Sequence, residues 1–355
     1  MPDKWFRTVF LVTLSAVALV HPISAGDNDT LDRFITHGVV EIGIEHAEKG
    51  HVLWNRDNNV WASDWEKRIA AEADFEIRFS SMLSAEIDIE GAFSEPGLKL
   101  QKGIVVFDLP NRQFVRVGNM KRRLGLEERE GKDELITAER SLLHRHLASL
   151  HIMGYSLACE YQFRWGFPRT APMKTWLQLG GDADLKVFGE AAGRVTGDWG
   201  RVGYSILYAK QFERHRADFW ALAGNYRYRD RDRYAALELL LGKDPNATYI
   251  AQVIGERTAV YFVGTRAGLA FPFVIGGKLL DVIQPVLVLA HLSPDLRQTG
   301  WARFEANPGV NFILRGSKQV RWMTDFSIVA VVGSAVTERW HTQEFRLTSQ
   351  IQLAW

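Results

Sequence analysis

The feature that most constrains this chain is an alternation of apolar and charged residues with a period of two, which is clearest in residues 71–90. From Ala71 to Phe79 the odd positions are apolar and the even positions are charged. After a tight turn the same alternation resumes at Leu83. Because successive side chains of a β-strand point to opposite sides, the pattern predicts two strands with one apolar and one charged face.

The alternation persists along the chain, and this persistence decides the fold class. Half-buried sheets in soluble proteins also alternate, so one segment would not distinguish a sandwich from a barrel. Here the pattern returns at residues 201–211, 220–229 and 302–315. Repeated segments of about ten alternating residues, separated by turns, are the signature of a transmembrane β-barrel. The sequence therefore predicts an all-β fold, a transmembrane antiparallel β-barrel.

Two segments depart from the simple pattern. Pro308 lies inside an alternating segment, and because proline cannot donate to a ladder, a bulge or a local break is expected there. Residues Ile283 to Leu292 are apolar on both faces, which predicts either a subunit contact or a drier part of the barrel wall.

The C-terminal segment alternates most regularly of all, with Phe345, Leu347, Ile351, Leu353 and Trp355 on one face. A chain that ends on an aromatic residue after such a strand resembles the outer-membrane proteins of bacteria, whose last strand is a targeting signal. The resemblance implies that outer-membrane lipid surrounds the barrel. It also implies that the outer-membrane assembly machinery is a partner through the strand ending in Trp355.

Residues 1–25 are typical of a cleaved secretory signal peptide. A basic start precedes an apolar run from Val9 to Val20, and Ala25 marks the cleavage point. A run of about 12 residues is too short to cross a hydrocarbon core of about 30 Å. The barrel is therefore predicted to occupy residues 26–355.

Composition argues against several other classes of protein. The formal net charge is only +1, so the charge balance does not indicate a nucleic-acid partner. A single cysteine in an exported chain cannot form an intramolecular disulfide. That residue, Cys159, has the apolar parity of Met153 and Leu157, which predicts a lipid-facing or packed thiol rather than a nucleophile.

Connection lengths suggest the topology. A first strand at residues 36–45 is followed by a long connection at 46–65, whereas the connection at 108–112 is short. Outer-membrane barrels alternate short periplasmic turns with longer outer loops, and bacterial ones have an even number of strands. A raw count of about seventeen is therefore set to sixteen. With a periplasmic N-terminus, the charged stretch at 121–143 becomes the third outer loop.

The stretch from Phe114 to Leu143 carries the most specific signal. A strand ends in Val-Arg-Val-Gly-Asn-Met-Lys at Lys121, and Gly-Leu-Glu-Glu at 125–128 and Glu-Arg-Ser-Leu at 139–142 follow. This arrangement resembles the phosphate-selective porin O/P family. Met120 stands where that family usually has an aromatic residue, and Arg123-Leu124 replaces a proline-aromatic pair.

The family resemblance implies a specific architecture and function. The fold would be a barrel of sixteen strands whose third outer loop, residues 121–143, folds inward as a constriction loop. The protein would be a homotrimeric porin in the outer membrane of a Gram-negative bacterium. It would give passive diffusion to small hydrophilic solutes, with small anions such as phosphate as its partners.

The candidate residues for the pore constriction and for anion binding are cationic. Fixed positive charge in a narrow passage replaces part of an anion's hydration, and the arginine fork donates two hydrogen bonds to a phosphate. These candidates lie at the ends of the long connection and on the lumen parity of the wall: Lys121, Arg122, Arg123, Arg116, Arg140, Arg227, Arg229, Arg303 and Arg315.

Acidic residues compete with these bases. Acids between Glu127 and Glu134 could pair with Lys121, Arg122 and Arg123 and cancel their charge locally. Other acids cluster in the second and third strands, which predicts a field across the lumen that need not give a strong anion preference: Glu72, Asp74, Glu76, Glu86, Asp88 and Glu90.

Three alternatives stay open at this point: a non-selective general pore, a structural barrel and an outer-membrane barrel enzyme. Ser141, His144 and His146 are close in sequence, but a third orienting group is not readable. The two histidines could hold a metal on a strand, but further ligands are missing. The sequence therefore predicts no enzymatic activity, no catalytic residue, no metal and no cofactor.

Overall fold

The structure, a computed structural model, describes residues 34–53, 60–92, 95–130, 134–138, 140–150, 152–165, 172–181, 185–211, 218–230, 233–256, 259–297, 302–314, 320–332 and 340–354. The predicted signal peptide at 1–25 and the terminal Trp355 lie outside the described residues, so the predictions about them stay predictions.

The described residues contain seventeen β-strands, three α-helices and one 3-10 turn, Pro110–Arg112. The strands are β1 Phe34–Leu53, β2 Val60–Ser80, β3 Leu83–Ala92, β4 Glu95–Leu109, β5 Gln113–Lys121, β6 Tyr155–Trp165, β7 Met173–Gly181, β8 Leu185–Gly197, β9 Gly200–Gln211, β10 Phe219–Asp230, β11 Arg233–Asp244, β12 Val260–Ala270, β13 Phe273–Val274, β14 Leu280–Ser293, β15 Ala302–Leu314, β16 Val320–Val332 and β17 Trp340–Ala354. The helices are α1 Leu126–Arg129, α2 Leu142–Ser149 and α3 Pro245–Val253.

The strands close into a single antiparallel barrel. Each long strand pairs with its neighbours in sequence, and β1 pairs with both β2 and β17, so the sheet has no free edge. β13 has only two residues and pairs with the start of β14, next to the β12–β14 ladder. The wall is therefore made of sixteen strands, and the predicted all-β barrel is confirmed.

Burial is inverted relative to a soluble protein. On β6, Leu157 and Cys159 are exposed, whereas Glu160 is fully buried. On β7, Leu179 is 68% exposed and Gln178 only 1%. An apolar outer face and a polar inner face are the arrangement of a barrel wall in lipid. Within the described residues, no helix combines the length and the apolar character that crossing a bilayer requires.

The predicted first connection is wrong. β1 continues to Leu53 and β2 begins at Val60, and the ladder pairs His46 with Trp65 and His51 with Val60. Most of residues 46–65 is therefore strand. Polar residues obscured the alternation there, because the apolar outer face of such a strand is needed only where it touches hydrocarbon.

The ladder is interrupted at Pro308 without a change of register. β15 pairs with β16 at Ala306 and Ile328, and pairing resumes at Gly309 and Asp325 with the same offset. The proline therefore removes local pairing, as expected from its missing N–H, but does not insert a bulge.

The strand that is apolar on both faces has a structural explanation. Val286, Val288, Ala290 and Leu292 of β14 are buried on the inner face. Helix α2 lies against β14 on that side. This part of the wall is therefore dry because a helix covers it.

The strand motif that ends at Lys121 contains Gly118, and the close approach of the β4 backbone requires a glycine at this position. Its φ is +141°, and a side chain there would collide with the backbone oxygen of Gly103 on β4. A glycine allows both the conformation and the contact.

Candidate functional site

The connection between β5 and β6, residues 122–154, forms an inner segment that carries α1 and α2. It is longer than the predicted loop at 121–143, because Lys121 still belongs to β5 and the chain returns to the wall only at Tyr155. Hydrogen bonds and ion pairs connect the inner segment to polar side chains of β6, β8, β10, β11, β12, β15, β16 and β17.

An apolar core accompanies these polar contacts. Leu143 and Leu147 of α2 are almost completely buried, and they belong to the same cluster as Phe262 of β12 and Leu292 of β14. Gly264 of β12 leaves room for Leu143, because a side chain at that position would collide with it. The inner segment is thus packed onto the wall as well as hydrogen-bonded to it.

Glu127 of α1 is the most strongly fixed acid of the inner segment. Its carboxylate lies 3.2 Å from the Arg266 guanidinium of β12, and both side chains are nearly inaccessible. The Ser141 hydroxyl and backbone N–H also donate to it. Burial alone would raise the pKa of Glu127, but Arg266 and these donors together lower it below the ordinary value.

Two further carboxylates fix the segment to opposite parts of the wall. Glu130 accepts from Arg227 of β10 at 2.9 Å and from the Tyr234 hydroxyl of β11 at 2.9 Å. Glu305 of β15 accepts from the backbone N–H of Leu142 at 2.6 Å and from Arg145 at 2.8 Å. Each buried charge therefore has an opposite charge or a hydrogen-bond donor beside it.

The predicted triplet at the start of the segment does not behave as a set of mobile charges. Arg123 holds Glu160 of β6 in a two-pronged ion pair with contacts of 2.5 and 2.8 Å. Arg122 is only 3% exposed and donates to the Met153 carbonyl oxygen at 2.6 Å. Lys121 lies 5.7 Å from the centre of the Tyr155 ring. Glu127, Glu130 and Glu134 of the segment pair with wall arginines.

The other predicted cations are dispersed. Arg116 donates to Glu160 and Gln162, and Arg140 donates to the carbonyl oxygens of Glu127 and Glu130. Of the remaining three, Arg229 donates to the Glu134 carbonyl oxygen, Arg303 is exposed on β15, and Arg315 lies outside the described residues.

Sequence reasoning missed a row of cations on the inner wall. Arg164 of β6 lies directly opposite Lys174 of β7, and Lys174 lies directly opposite Arg194 of β8. This set is the cationic row. On the next pair of strands, Arg201 lies directly opposite Arg227. The residues alternate correctly in the sequence, but their alignment depends on strand register, which the pattern alone does not define.

The inner face of β2 and β3 forms an acidic wall with the opposite sign. Its six carboxylates face each other in three cross-strand pairs, Glu72 with Glu90, Asp74 with Asp88, and Glu76 with Glu86. Lys102 of β4 lies 2.5 Å from Glu86 and 3.4 Å from Asp74. The predicted cluster of acids in the second and third strands is confirmed.

The two histidines lie on α2 and not on a strand as predicted. Residues two apart on a helix do not share a face, so His144 and His146 do not form a metal-binding pair. Burial lowers the pKa of His144 to about 3 and that of His146 to about 4. Within the described ranges, no group of three or more acidic, histidine or cysteine side chains is arranged to hold a metal ion.

Comparison with solved structures identifies the architecture. The chain is similar to OmpF of Salmonella typhi, solved with daunomycin, at a TM-score of 0.60 and 10% identity over 93% of this chain and 99% of that one. It is similar to an anion-selective porin from Comamonas acidovorans at a TM-score of 0.56 and 11% identity, covering 91% and 99% of the two chains. The fold is that of the outer-membrane porins. No family model and no curated protein matches the sequence.

A third similarity points the same way. The outer-membrane channel DcaP of Acinetobacter baumannii matches with a TM-score of 0.54 and 10% identity over 90% of this chain and 97% of that one. An even-stranded barrel with an apolar outer face belongs in the outer membrane of a Gram-negative bacterium. Membership of the phosphate-selective porin O/P family stays a prediction, because identities near these values establish the fold alone.

Proposed function

We propose that this protein is an outer-membrane porin that gives passive diffusion to small hydrophilic solutes and prefers small anions such as phosphate. The observation that supports the preference is the cationic row, Arg164, Lys174 and Arg194. Like charges directly opposite each other on neighbouring strands destabilise a sheet. An arrangement that keeps them at three successive positions is favoured when anions pass close to them and offset the repulsion.

The barrel size and the inner surface support the channel itself. A barrel of about sixteen strands encloses an aqueous lumen unless something fills it. Hydrogen bonds and ion pairs anchor the inner segment to the wall, and we infer that it narrows the passage as a constriction loop without filling it. On this proposal the protein has no enzymatic activity, and no catalytic residue, metal or cofactor is required.

The experiment is reversal-potential measurement in planar bilayers under a salt gradient. We expect the natural protein to conduct with an anion preference, and replacement of Arg164, Lys174 and Arg194 by Gln to shift the reversal potential toward cations. A matched control replaces three outward-facing lysines, Lys67, Lys210 and Lys243, by Gln and should leave it unchanged. A conducting natural protein with cation preference would contradict the anion proposal while leaving the channel proposal intact.

The acidic wall favours a second candidate, a general pore of weak selectivity. Its three carboxylate pairs attract cations just as the row attracts anions, and the two fields can cancel for a small monovalent salt. The same measurement separates the two, since a general pore gives a reversal potential near zero.

We also propose a homotrimer, because one similar structure, OmpT of Vibrio cholerae, was solved in a trimer form (TM-score 0.51, 10% identity, covering 91% of this chain and 100% of that one). Size-exclusion chromatography with light scattering of the detergent-folded protein tests this. A monomer at every concentration would contradict it.

A further inference from the structure

A recess of about 300 Å³ lies between the inner segment and the wall strands β8, β9 and β10. Arg194, Arg201 and Asn225 line it from the wall, and Glu134 lines it from the inner segment. The inner segment therefore covers one side of the recess.

The shape of the recess follows from strand register. Gly203 of β9 lies directly opposite Arg194 of β8 on one side and Asn225 of β10 on the other. A glycine leaves an empty position on the inner face between two polar side chains. The two neighbours thus border a notch whose floor is backbone, and Arg201, two residues away on β9, borders it from the end.

The charge balance around the notch is positive. Arg227 is already engaged by Glu130 at 2.9 Å and by Glu134 at 3.2 Å. Arg194 lies over the ring of Trp176, with 5.3 Å between its guanidinium carbon and the ring centre. Arg201 lies directly opposite Arg227, so two like charges meet there as well. The carboxylates of Glu130 and Glu134 are shared with Arg227, so they do not offset all of this charge.

The amide of Asn225 supplies an independent observation. Its side-chain nitrogen is buried and has no hydrogen-bond partner among the described residues. A buried donor without an acceptor has lost the hydrogen bond that it makes to water in the unfolded chain, and a bound ion or water can supply the missing partner. This nitrogen can only donate, so the missing partner is an acceptor.

We infer that the recess is a binding site for a small tetrahedral oxyanion, such as inorganic phosphate or sulfate, that is resident and not in transit. Arginine forks and an amide N–H₂ are the donors that suit an oxyanion with several acceptor oxygens. The ion lies between the wall and the inner segment, and its negative charge offsets the repulsion between the arginines. The site rests on the proposed function in one respect only, namely that the anion reaches the recess through the passage.

The test is thermal unfolding of the full barrel in detergent, with inorganic phosphate, sulfate or chloride added at equal ionic strength. A ligand that binds only the folded state raises the midpoint with the logarithm of its concentration. We expect phosphate and sulfate to raise it and chloride to do much less. In Arg194→Gln, the phosphate concentration that gives the same rise of the midpoint should be roughly tenfold higher or more.

Lys210→Gln is the matched control, since it removes a cation from the outward face of β9, away from the recess, and should keep the full phosphate response. Asn225→Asp is a second variant that keeps the side-chain shape and replaces the donor by a repelling carboxylate, and it should abolish the response. Equal stabilisation by phosphate and chloride, or equal loss in Lys210→Gln and Arg194→Gln, would overturn the inference. None of these outcomes depends on conductance, so the bilayer measurements can contradict the channel proposal without contradicting this one.

Discussion

The inner faces of two regions of the barrel differ in what lies next to their carboxylates. On β11, β12 and β15, which lie under the inner segment, Glu238 accepts from Leu126 N–H, Arg266 pairs with Glu127, and Glu305 pairs with Arg145. On β2 and β3, carboxylates lie directly opposite carboxylates. In the first arrangement each carboxylate has an N–H donor or an arginine beside it, whereas in the second the carboxylates face one another and Lys102 contacts two of them.

This contrast distinguishes two roles for charged side chains, stabilising the fold and acting on solutes. A buried ion pair contributes chiefly through the penalty for breaking it, because removing one partner leaves the other buried and uncompensated. A row of like charges costs folding energy. The pairs under the inner segment anchor it, and on the proposed function the acidic wall and the cationic row act on solutes in the passage.

The largest expected effect is the loss of one partner of the deepest pair. Arg266→Met should destabilise the folded barrel by about 3–5 kcal/mol, because Glu127 is left buried without its guanidinium. The free energy of unfolding in urea, measured on detergent-folded protein, checks this. The double variant Glu127→Gln with Arg266→Met should recover most of the loss, and an equally unstable double variant would contradict the pairing.

The second prediction concerns the triplet at the start of the inner segment. Replacing Lys121, Arg122 and Arg123 by Gln should lower the unfolding free energy, since Glu160 loses its two-pronged partner in a fully buried position. The shift in reversal potential should be smaller than that from the cationic row. Arg123→Gln alone should reproduce most of the destabilisation, whereas Lys121→Gln should not. A large selectivity shift at unchanged stability would assign these residues to the passage after all.

The third prediction uses pH. The unfolded state binds a proton at each histidine near pH 6.5, whereas His144 and His146 stay neutral in the fold down to about pH 3 and 4. Their contribution to stability is therefore complete above about pH 6.5 and is lost as the pH falls toward these values. Unfolding free energy measured from pH 7.5 to 4.5 should decline, and a His144→Phe, His146→Leu variant should decline less. Parallel curves would contradict the burial of the imidazoles.

The acidic wall gives a fourth, smaller effect with the opposite sign to the cationic row. Replacing Glu72, Asp74 and Glu86 by their amides should shift the reversal potential toward anions, and the unfolding free energy should fall, since Lys102 loses the two carboxylates that it contacts. The measurement is the same salt-gradient experiment. A shift toward cations would show that the acids do not face the passage.

The smallest effect is expected at the single thiol. Cys159→Ser should leave folding and conductance unchanged, because the side chain is exposed on the outer face between other outward residues. Heat-modifiability on gels and single-channel conductance both check this. A changed conductance would place Cys159 on the inner face and would invert the register of β6.

The fold could be predicted from the sequence further than the site. The period-two pattern in residues such as Val202, Tyr204 and Ile206 identifies the outward face, and the structure exposes all three. Strand limits beyond the apolar belt were wrong, as at residues 46–65, because the pattern carries no signal there. The acids of β2 and β3 were recognised because they are adjacent in sequence.

The partners of the cations could not be predicted, because they are set by register and by the path of the inner segment. Arg266 is one charged residue among many in the sequence, and only the fold brings it to Glu127. The same holds for the cationic row, whose members come from three strands. The sequence predicts Arg123 as a residue of the passage, which stays a prediction, and the structure adds an ion pair with Glu160 of β6 that the sequence does not show.

The anchoring of the inner segment has a consequence for assembly. Its polar contacts join residues separated by 37 positions in the Arg123–Glu160 pair and by 199 in the Arg145–Glu344 pair. Closing such loops costs entropy before any contact repays it, and topologies of this kind fold slowly. The Arg145–Glu344 contact reaches β17, so the anchoring of the inner segment is complete only once the last strand has joined the wall.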